Sequence, residues 1–167
     1  MKKIVLASFL SITSMAAVAQ QSSTKNPLPM KSIDQIYTVF ITNKLDETVK
    51  FYESYFGFTK LFESTFFVLL QSPGNQNCVA FMDEQHPTAP PTPARFNGSG
   101  SFLTLEVSDA EALFSEIKKK GLKIDYQLKD EAWGQRRFGV IDPNGLWVDV
   151  VQQIEPQADF WPQYMKD

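Results

Sequence analysis

An internal repeat constrains the fold of this chain more than any other feature, because two segments carry the same order of secondary-structure signals. A β-prone run opens each segment, Tyr37–Thr42 in the first and Phe102–Val107 in the second. A helix pattern follows at once in both, over residues 44–56 and 109–120. Corresponding positions in the two segments lie 64 or 65 residues apart. The repeat therefore predicts two copies of one mixed α/β unit.

The two predicted helices have local start and stop residues. Ser108 and Glu111 form an S-x-x-E capping box at the start of the second helix, and Asn43 and Asp46 can play these roles less ideally in the first. Each helix is apolar on one side only, so each must cover one face of a sheet. The apolar stripes and terminal glycines are Leu45, Val49, Tyr52, Phe56 and Gly57 in the first unit, and Ala110, Leu113, Ile117 and Gly121 in the second.

Three strand-like runs follow each helix, so that the unit is β-α-β-β-β. The turn Asp142-Pro143-Asn144-Gly145 joins two of them, because proline presets φ and glycine accepts a left-handed conformation. The runs are Thr59–Glu63, Thr65–Gln71 and Cys78–Met82 in the first unit, and Leu122–Leu128, Gln135–Ile141 and Leu146–Val151 in the second.

The amino terminus has the pattern of a secretory signal peptide. Lys2 and Lys3 precede an apolar run that ends in the A-x-A site Ala17-Val18-Ala19. The run falls short of the ~20 residues that span a bilayer, which argues against a membrane anchor. We expect cleavage after residue 19, a flexible leader over 20–32 and export to the periplasm or medium.

Composition excludes several classes of function. Without the two lysines of the signal peptide the chain has 14 basic and 19 acidic residues, a net charge of −5. A mildly acidic chain without a basic stripe is a poor binder of nucleic acid or of an anionic membrane. Cys78 is the only cysteine, which rules out an internal disulfide. The one histidine, His86, lies in a proline-rich stretch.

Three sequence stretches, TVFITNKLDETVKFYESYFGF, SFLTLEVSDAEALFSEIKKKGLKI and WGQRRFGVIDPNGLWVDVVQ, resemble the vicinal oxygen chelate (glyoxalase/bleomycin resistance protein/extradiol dioxygenase) superfamily. The resemblance implies an α+β fold over residues 33–153, in which two βαβββ modules form a curved mixed sheet around a concave cleft. The first module would span 33–84, a proline-rich linker 85–97 and the second module 98–153, followed by an aromatic tail over 154–167. Members include metal-dependent lyases, epimerases and dioxygenases as well as metal-free antibiotic-binding proteins, and they are commonly dimers.

In metal-using members the ligands lie on the first and last strands of each module. Strand alternation assigns the cleft-facing residues, and the family positions then hold Tyr37, Ala80, Phe102 and Asp149. Only Asp149 is a good ligand, whereas a catalytic divalent metal needs about three. We therefore expect neither a metal nor another cofactor.

Without a metal the predicted cleft is aromatic and apolar with a few polar groups, which is the usual form of a small-molecule site. The candidate ligand-binding residues are Tyr37, Val39, Phe102, Glu106, Arg137, Trp147 and Asp149. Two alternatives remain open here: the aromatic rings simply fill the cleft, or Arg137 and Asp149 pair only with each other.

Two functions are compatible with this cleft. The first is a homodimeric, exported protein that binds a small apolar or aromatic compound. The second is a lyase or isomerase, either metal-dependent or using Asp149 or Glu106 as general base. A tail containing Phe160, Trp161 and Tyr164 is too apolar to extend freely into solvent, and we expect it to dock on the body or on a partner subunit.

Overall fold

The computed structural model describes residues 35–74, 76–87 and 94–165. The predicted signal peptide and leader, part of the proline-rich linker and the last two residues lie outside the described residues. The described part forms one compact unit. The helices of this part lack the length and the hydropathy that a membrane span requires.

The first module has the predicted βαβββ order and forms one four-stranded sheet. The strand order across the sheet is β1-β4-β3-β2, with β1 and β4 parallel and the other pairs antiparallel. The elements are β1 Thr38–Thr42, α1 Leu45–Phe56, β2 Thr59–Glu63, β3 Phe67–Gln71 and β4 Cys78–Asp83.

The second module repeats this topology in a second sheet of order β5-β8-β7-β6. Again the first and last strands of the module are parallel neighbours and the other pairs are antiparallel. The two-module α+β fold is thus confirmed, with the described strands in two four-stranded sheets rather than one continuous sheet. The elements are β5 Phe102–Glu106, α2 Ala110–Lys119, β6 Tyr126–Glu131, β7 Gln135–Ile141 and β8 Trp147–Gln153.

The helix starts differ from the prediction. Helix α2 is capped by Asp109, whose Oδ1 accepts the backbone N–H of Ala112 at 2.9 Å, and not by Ser108. A carboxylate accepts this bond at least as well as a hydroxyl and also suits the positive end of the helix dipole. At α1 the N-cap position is occupied by Lys44 and no side chain caps the helix, so the expected Asn43 cap is also wrong. The N–H of Lys44 itself donates to the hydroxyl of Thr42 at 2.8 Å.

The predicted strand Leu122–Leu128 is displaced in the structure, where β6 runs over Tyr126–Glu131. Gly121 adopts a left-handed φ of 82° after α2, and the chain then passes along the core before it pairs. Leu122 and Ile124 pack there against the buried cluster. The alternating apolar residues Leu122 and Ile124 therefore contact the core but do not belong to a strand of the sheet.

One hydrophobic core serves both modules. It joins the helix-facing residues of the two sheets with those of the helices, including Phe81 of β4, Phe138 of β7 and Ile117 of α2, each fully buried. The opposite faces of the two sheets, called here the first and second outward faces, therefore point away from this common core.

A buried polar network holds α1 against the turn between β7 and β8. The hydroxyl of Tyr52 donates to Asp142, and the side-chain amide of Asn144 donates to the hydroxyl of Thr48 at 2.9 Å. Lys44 Nζ adds a bond of 2.8 Å to the carbonyl of Pro143. These contacts close one of the two junctions between the modules.

The tail docks on the turn between β6 and β7. Ile154 and Gln157 donate backbone N–H groups to Gly134 and Ala132, each at 2.9 Å. A short 3-10 helix, Trp161–Gln163, follows, and Trp161 Nε1 donates to the carbonyl of Trp133 at 3.0 Å. The tail therefore contacts Trp133 in this turn.

Candidate functional site

The second outward face brings together the polar residues that the sequence singled out. In the ladder Arg137 lies opposite Val151, and Gly139 lies opposite Asp149. The indole of Trp147 lies directly over Gly139, so closely that a β-carbon at this position would overlap the ring. Glycine is needed here because it makes room for an aromatic side chain next to the carboxylate of Asp149.

Arg137 is at the centre of this face. Its Nε donates to Glu131 Oε1 at 3.1 Å, and its Nη1 contacts Asp149 Oδ2 at 3.3 Å. Its guanidinium also lies 5.0 Å from the ring centroids of both Tyr126 and Trp133, a distance typical of cation–π contact. Two carboxylates and two aromatic rings thus fix the position of one cation.

Glu131 is held in its ionised form by its neighbours. Its side chain is only 7% exposed. A hydrogen bond of 2.5 Å from the hydroxyl of Tyr126, together with Arg137 and Lys129, outweighs the cost of burial and lowers the pKa of Glu131. Burial opposes the charged form of Arg137, but its bonds to Glu131 and Asp149 prevail and raise its pKa.

Asp149 is less completely bonded than Glu131. Its side chain is 6% exposed, yet its contacts with Arg137 are 3.3 and 3.4 Å and its contact with Trp147 Nε1 is 3.4 Å. These distances lie beyond the usual range of about 2.7–3.2 Å for N–H···O bonds. A buried carboxylate with only long contacts can still accept a short hydrogen bond from another donor.

The other predicted residues border this centre or lie on the opposite sheet. Phe102 is 64% exposed and pairs in register with Trp147, and Glu106 accepts a bond of 2.8 Å from Gln153. Tyr37 and Val39 are 42% and 39% exposed, next to and on β1. Within the described part of one chain, no side-chain contact joins these two residues to the Arg137 cluster.

Three residues of the cluster were missed by sequence reasoning, namely Tyr126, Glu131 and Trp133. The predicted strand ended at Leu128, so Glu131 was not placed on the sheet, although it pairs with Gln135 in the ladder. The run KDEAWG resembles a solvent-exposed loop. A sharper signal was available in Tyr126, which precedes this run, and Trp133 within it, because the two rings flank Arg137 once the hairpin forms.

The sequence matches the family model of the Glyoxalase/Bleomycin resistance protein/Dioxygenase superfamily over residues 33–150. The chain belongs to this superfamily. No curated protein matches it. Membership agrees with the resemblance that the repeated motifs predicted.

Solved structures with the same fold share little sequence with this chain. A virulence protein from Salmonella typhimurium has a TM-score of 0.62 and 20% identity, over 74% of this chain and 99% of that one. A superfamily protein from Nocardioides has a TM-score of 0.60 and 20% identity, over 74% and 86%. A bleomycin-binding protein in complex with bleomycin has a TM-score of 0.54 and 22% identity, over 72% and 99%. At such identities the likeness establishes the fold alone.

The residues at the superfamily's metal positions do not fit a divalent cation. Ala80 and Phe102 have no donor atom in their side chains, and Asp149 already faces a guanidinium. Among the described residues, no three His, Cys, Asp or Glu side chains lie close enough to share an ion. We therefore assign no chemical step to a metal, and metal independence stays a prediction.

Proposed function

We propose that this protein is an exported, metal-independent binding protein for a small apolar or aromatic compound. The observation that carries the proposal is the bonding of Asp149, a buried carboxylate beside Arg137 and Trp147 whose contacts are all 3.3 Å or longer. A ligand with a hydroxyl or amine donor supplies the short bond that Asp149 lacks, while a flat apolar part of the ligand lies against Trp147 and Phe102.

The site is proposed to be completed by a second subunit. Tyr37 and Val39 form an exposed apolar area on the first outward face, and Phe102 and Ile141 form another on the second. Exposed apolar patches of this kind commonly mark binding or association surfaces. In a homodimer, the first outward face of one subunit would lie opposite the second outward face of its partner, with the ligand between them.

The superfamily relationship supports the ligand class without fixing it. One of the similar structures is a bleomycin-binding protein, so the fold accommodates a small molecule. The enzyme alternative of lyase or isomerase type gains no specific support, because Glu106 is exposed and bonded to Gln153 while Asp149 is oriented by Arg137. Binding is therefore the function that this geometry favours.

The proposal can be tested on the mature chain, residues 20–167, purified from the periplasm or medium. Native mass spectrometry gives subunit number and retained ligand, and elemental analysis gives metal content. We expect a dimer without stoichiometric divalent metal. Calorimetry against a panel of aromatic amines, phenols and antibiotics should then identify saturable binders.

Variants locate the binding surface. Phe102→Ala should weaken binding about tenfold, the scale of one buried aromatic contact, and Asp149→Asn should weaken binding of ligands with amine donors. Leu61→Ala, an equally apolar and exposed change on β2, is the matched control and should bind as wild type. Compounds that bind the Phe102→Ala and Asp149→Asn variants as tightly as the wild type would place the site elsewhere. A stoichiometric divalent metal that is present in the wild type and lost in Asp149→Ala would favour the metalloenzyme alternative.

A further inference from the structure

The chain contains two Asn-Gly pairs, Asn97-Gly98 and Asn144-Gly145. Such a pair is prone to ring closure, because the side-chain carbonyl carbon of asparagine lies within reach of the next backbone nitrogen and glycine has no side chain to shield that nitrogen. The two pairs lie against each other at one junction between the modules, where a β-carbon on Gly98 would meet the carbonyl oxygen of Gly145 at 2.6 Å. Their surroundings nevertheless differ in every group that ring closure uses.

The side-chain amide of Asn144 is bonded at both of its ends. Its Oδ1 accepts the hydroxyl of Thr42, and its Nδ2 donates to Thr48 at 2.9 Å and to Asp142 at 3.2 Å. The nitrogen of Gly145 is occupied as well, since its N–H donates to the carbonyl of Asp142 at 3.0 Å. Ring closure at this pair would break several of these bonds, so the fold protects Asn144.

The side chain of Asn97 is exposed and lacks these restraints. Its Oδ1 accepts the backbone N–H of Ser99 at 3.2 Å, which forms the Asx turn that asparagine commonly makes with the residue two positions on. The bond spans Gly98 and keeps the Asn97 carbonyl folded back over the following peptide. Among the described residues, no hydrogen bond uses the N–H of Gly98.

Ser99 also supplies a group that assists ring closure. Its hydroxyl donates to the same Oδ1 of Asn97 at 2.6 Å. A donor at this oxygen draws electron density from the carbonyl carbon and stabilises the negative charge that develops on the oxygen when a nucleophile adds. A polarised carbonyl, a free glycine nitrogen and exposure to water thus occur together at Asn97.

We propose that Asn97 is a modification site at which the chain deamidates spontaneously, with water as the only co-reactant. The nitrogen of Gly98 loses its proton and bonds to Cγ of Asn97, and the Cγ–Nδ2 bond breaks to release ammonia, which carries that proton away. Water then opens the resulting succinimide. Cleavage between Cγ and the Gly98 nitrogen gives aspartate, and cleavage between the backbone carbonyl carbon of residue 97 and that nitrogen gives isoaspartate.

The isoaspartate product changes the backbone at a place where it is closely packed. In this product the main chain runs through the former side chain and gains one carbon between residues 97 and 98. Gly98 has a left-handed φ of 81° and no room even for a β-carbon against Gly145. Two residues before Gly98, the N–H of Phe96 donates to the carbonyl of Ile41 at 3.0 Å. Isoaspartate therefore loosens the contacts of this segment with β1 and with the β7–β8 turn, whereas aspartate leaves the backbone unchanged.

The test is an incubation of the folded mature chain, residues 20–167, in mildly alkaline buffer made with H₂¹⁸O. Peptide mapping by mass spectrometry separates asparagine, aspartate and isoaspartate at each position. We expect the peptide that contains Asn97 to gain one ¹⁸O atom at least about tenfold faster than the peptide that contains Asn144, the scale of one or more hydrogen bonds that must break first. In urea the two rates should approach each other, because the fold alone protects Asn144.

Two variants test the groups around the site. Ser99→Ala removes the hydroxyl but keeps the backbone N–H, and it should slow the conversion by about two- to tenfold, the scale of one hydrogen bond. Asn97→Asp has the charge of the products on an unchanged backbone and should unfold at the wild-type midpoint. Aged wild-type protein, in which isoaspartate is present, should unfold at a lower midpoint.

The proposal is overturned if Asn97 and Asn144 convert at equal rates in the folded protein. It is also overturned if Asn97 stays intact while the free peptide Ala-Arg-Phe-Asn-Gly-Ser-Gly, which copies residues 94–100, converts under the same conditions. Equal rates in Ser99→Ala and wild type would exclude assistance by the hydroxyl. An aged protein with the same midpoint as Asn97→Asp would exclude an effect on the junction.

Discussion

The hydroxyl of Tyr52 donates a hydrogen bond to Oδ2 of Asp142 across 3.2 Å, and this buried pair joins α1 of the first module to the β7–β8 turn of the second. Burial, and then the negative charge of Asp142, raises the pKa of Tyr52. Asp142 Oδ1 also accepts the backbone N–H groups of Asn144 and Leu146 at 2.8 and 2.9 Å. One carboxylate therefore shapes the turn and attaches it to the neighbouring module.

The two partners should differ in their effect on stability. Tyr52→Phe removes one hydrogen bond and should lower the free energy of unfolding by about 0.5–1.5 kcal/mol. Asp142→Ala leaves the Tyr52 hydroxyl and two backbone N–H groups without their acceptor, so we expect at least roughly twice that loss. Urea unfolding measures both, and equal losses would mean that the backbone bonds of the turn contribute little.

The repeat and the strand alternation were predictable from sequence because both are local. In β7 alternation separates Arg137, which was predicted for the cleft, from Phe138 and Val140, which are buried on the helix side. The same alternation directs Arg136 to the face opposite Arg137, and Arg136 pairs there with Asp130 at 2.6 Å. An alternating pattern assigns residues to the two faces of a sheet directly, because successive side chains along a strand point to opposite faces.

Tertiary relationships could not be obtained in this way. Nothing local to Tyr37 or Asp149 indicates that their faces point away from one shared core. The role of Trp133 depends on a hairpin that brings it over Arg137 and on a tail that reaches it from residue 161. Helix caps failed for a different reason, because adjacent Ser108 and Asp109 are both good caps and only the packed helix selects one.

Helix α2 gives a second stability prediction. Sequence periodicity put Leu113 and Ile117 on one buried face, but Ile117 is fully buried whereas Leu113 is half-buried and lines a cavity beside β5. Ile117→Ala should cost about 2–5 kcal/mol, as for other fully buried aliphatic residues, and Leu113→Ala clearly less. Equal shifts in the urea midpoint would show that Leu113 is as fully buried in solution as Ile117.

The Arg137 cluster makes stability depend on acid pH. Since the pKa of Glu131 is lower in the folded chain than its usual value of 4.5, its contribution is complete above that value and is lost as pH falls through the folded pKa. Glu131→Gln should therefore destabilise the protein at pH 7 but flatten the fall of melting temperature below pH 4.5. The comparison variant is Glu155→Gln, an exposed glutamate whose replacement changes net charge equally. If the melting temperature of both variants falls with pH as steeply as that of the wild type, Glu131 does not cause the acid dependence.

The tail supplies the last prediction, because it fixes the turn that carries Trp133. Phe160 lies 6.2 Å from Trp133 between ring centroids, and a side chain at Gly134 would collide with the backbone of Ile154 and Pro156. Deleting residues 156–167 removes the Gln157, Phe160 and Trp161 contacts and should lower the unfolding midpoint. Trp161→Phe, which loses the N–H donated to Trp133 and part of the ring but keeps an aromatic side chain, should cost about 0.5–1.5 kcal/mol. Tyr164→Ala, at an exposed position of the same tail, should stay within about 0.5 kcal/mol of wild type. If the truncated protein unfolds at the wild-type midpoint, the tail does not hold the turn, and Trp133 must be placed over Arg137 by the hairpin alone.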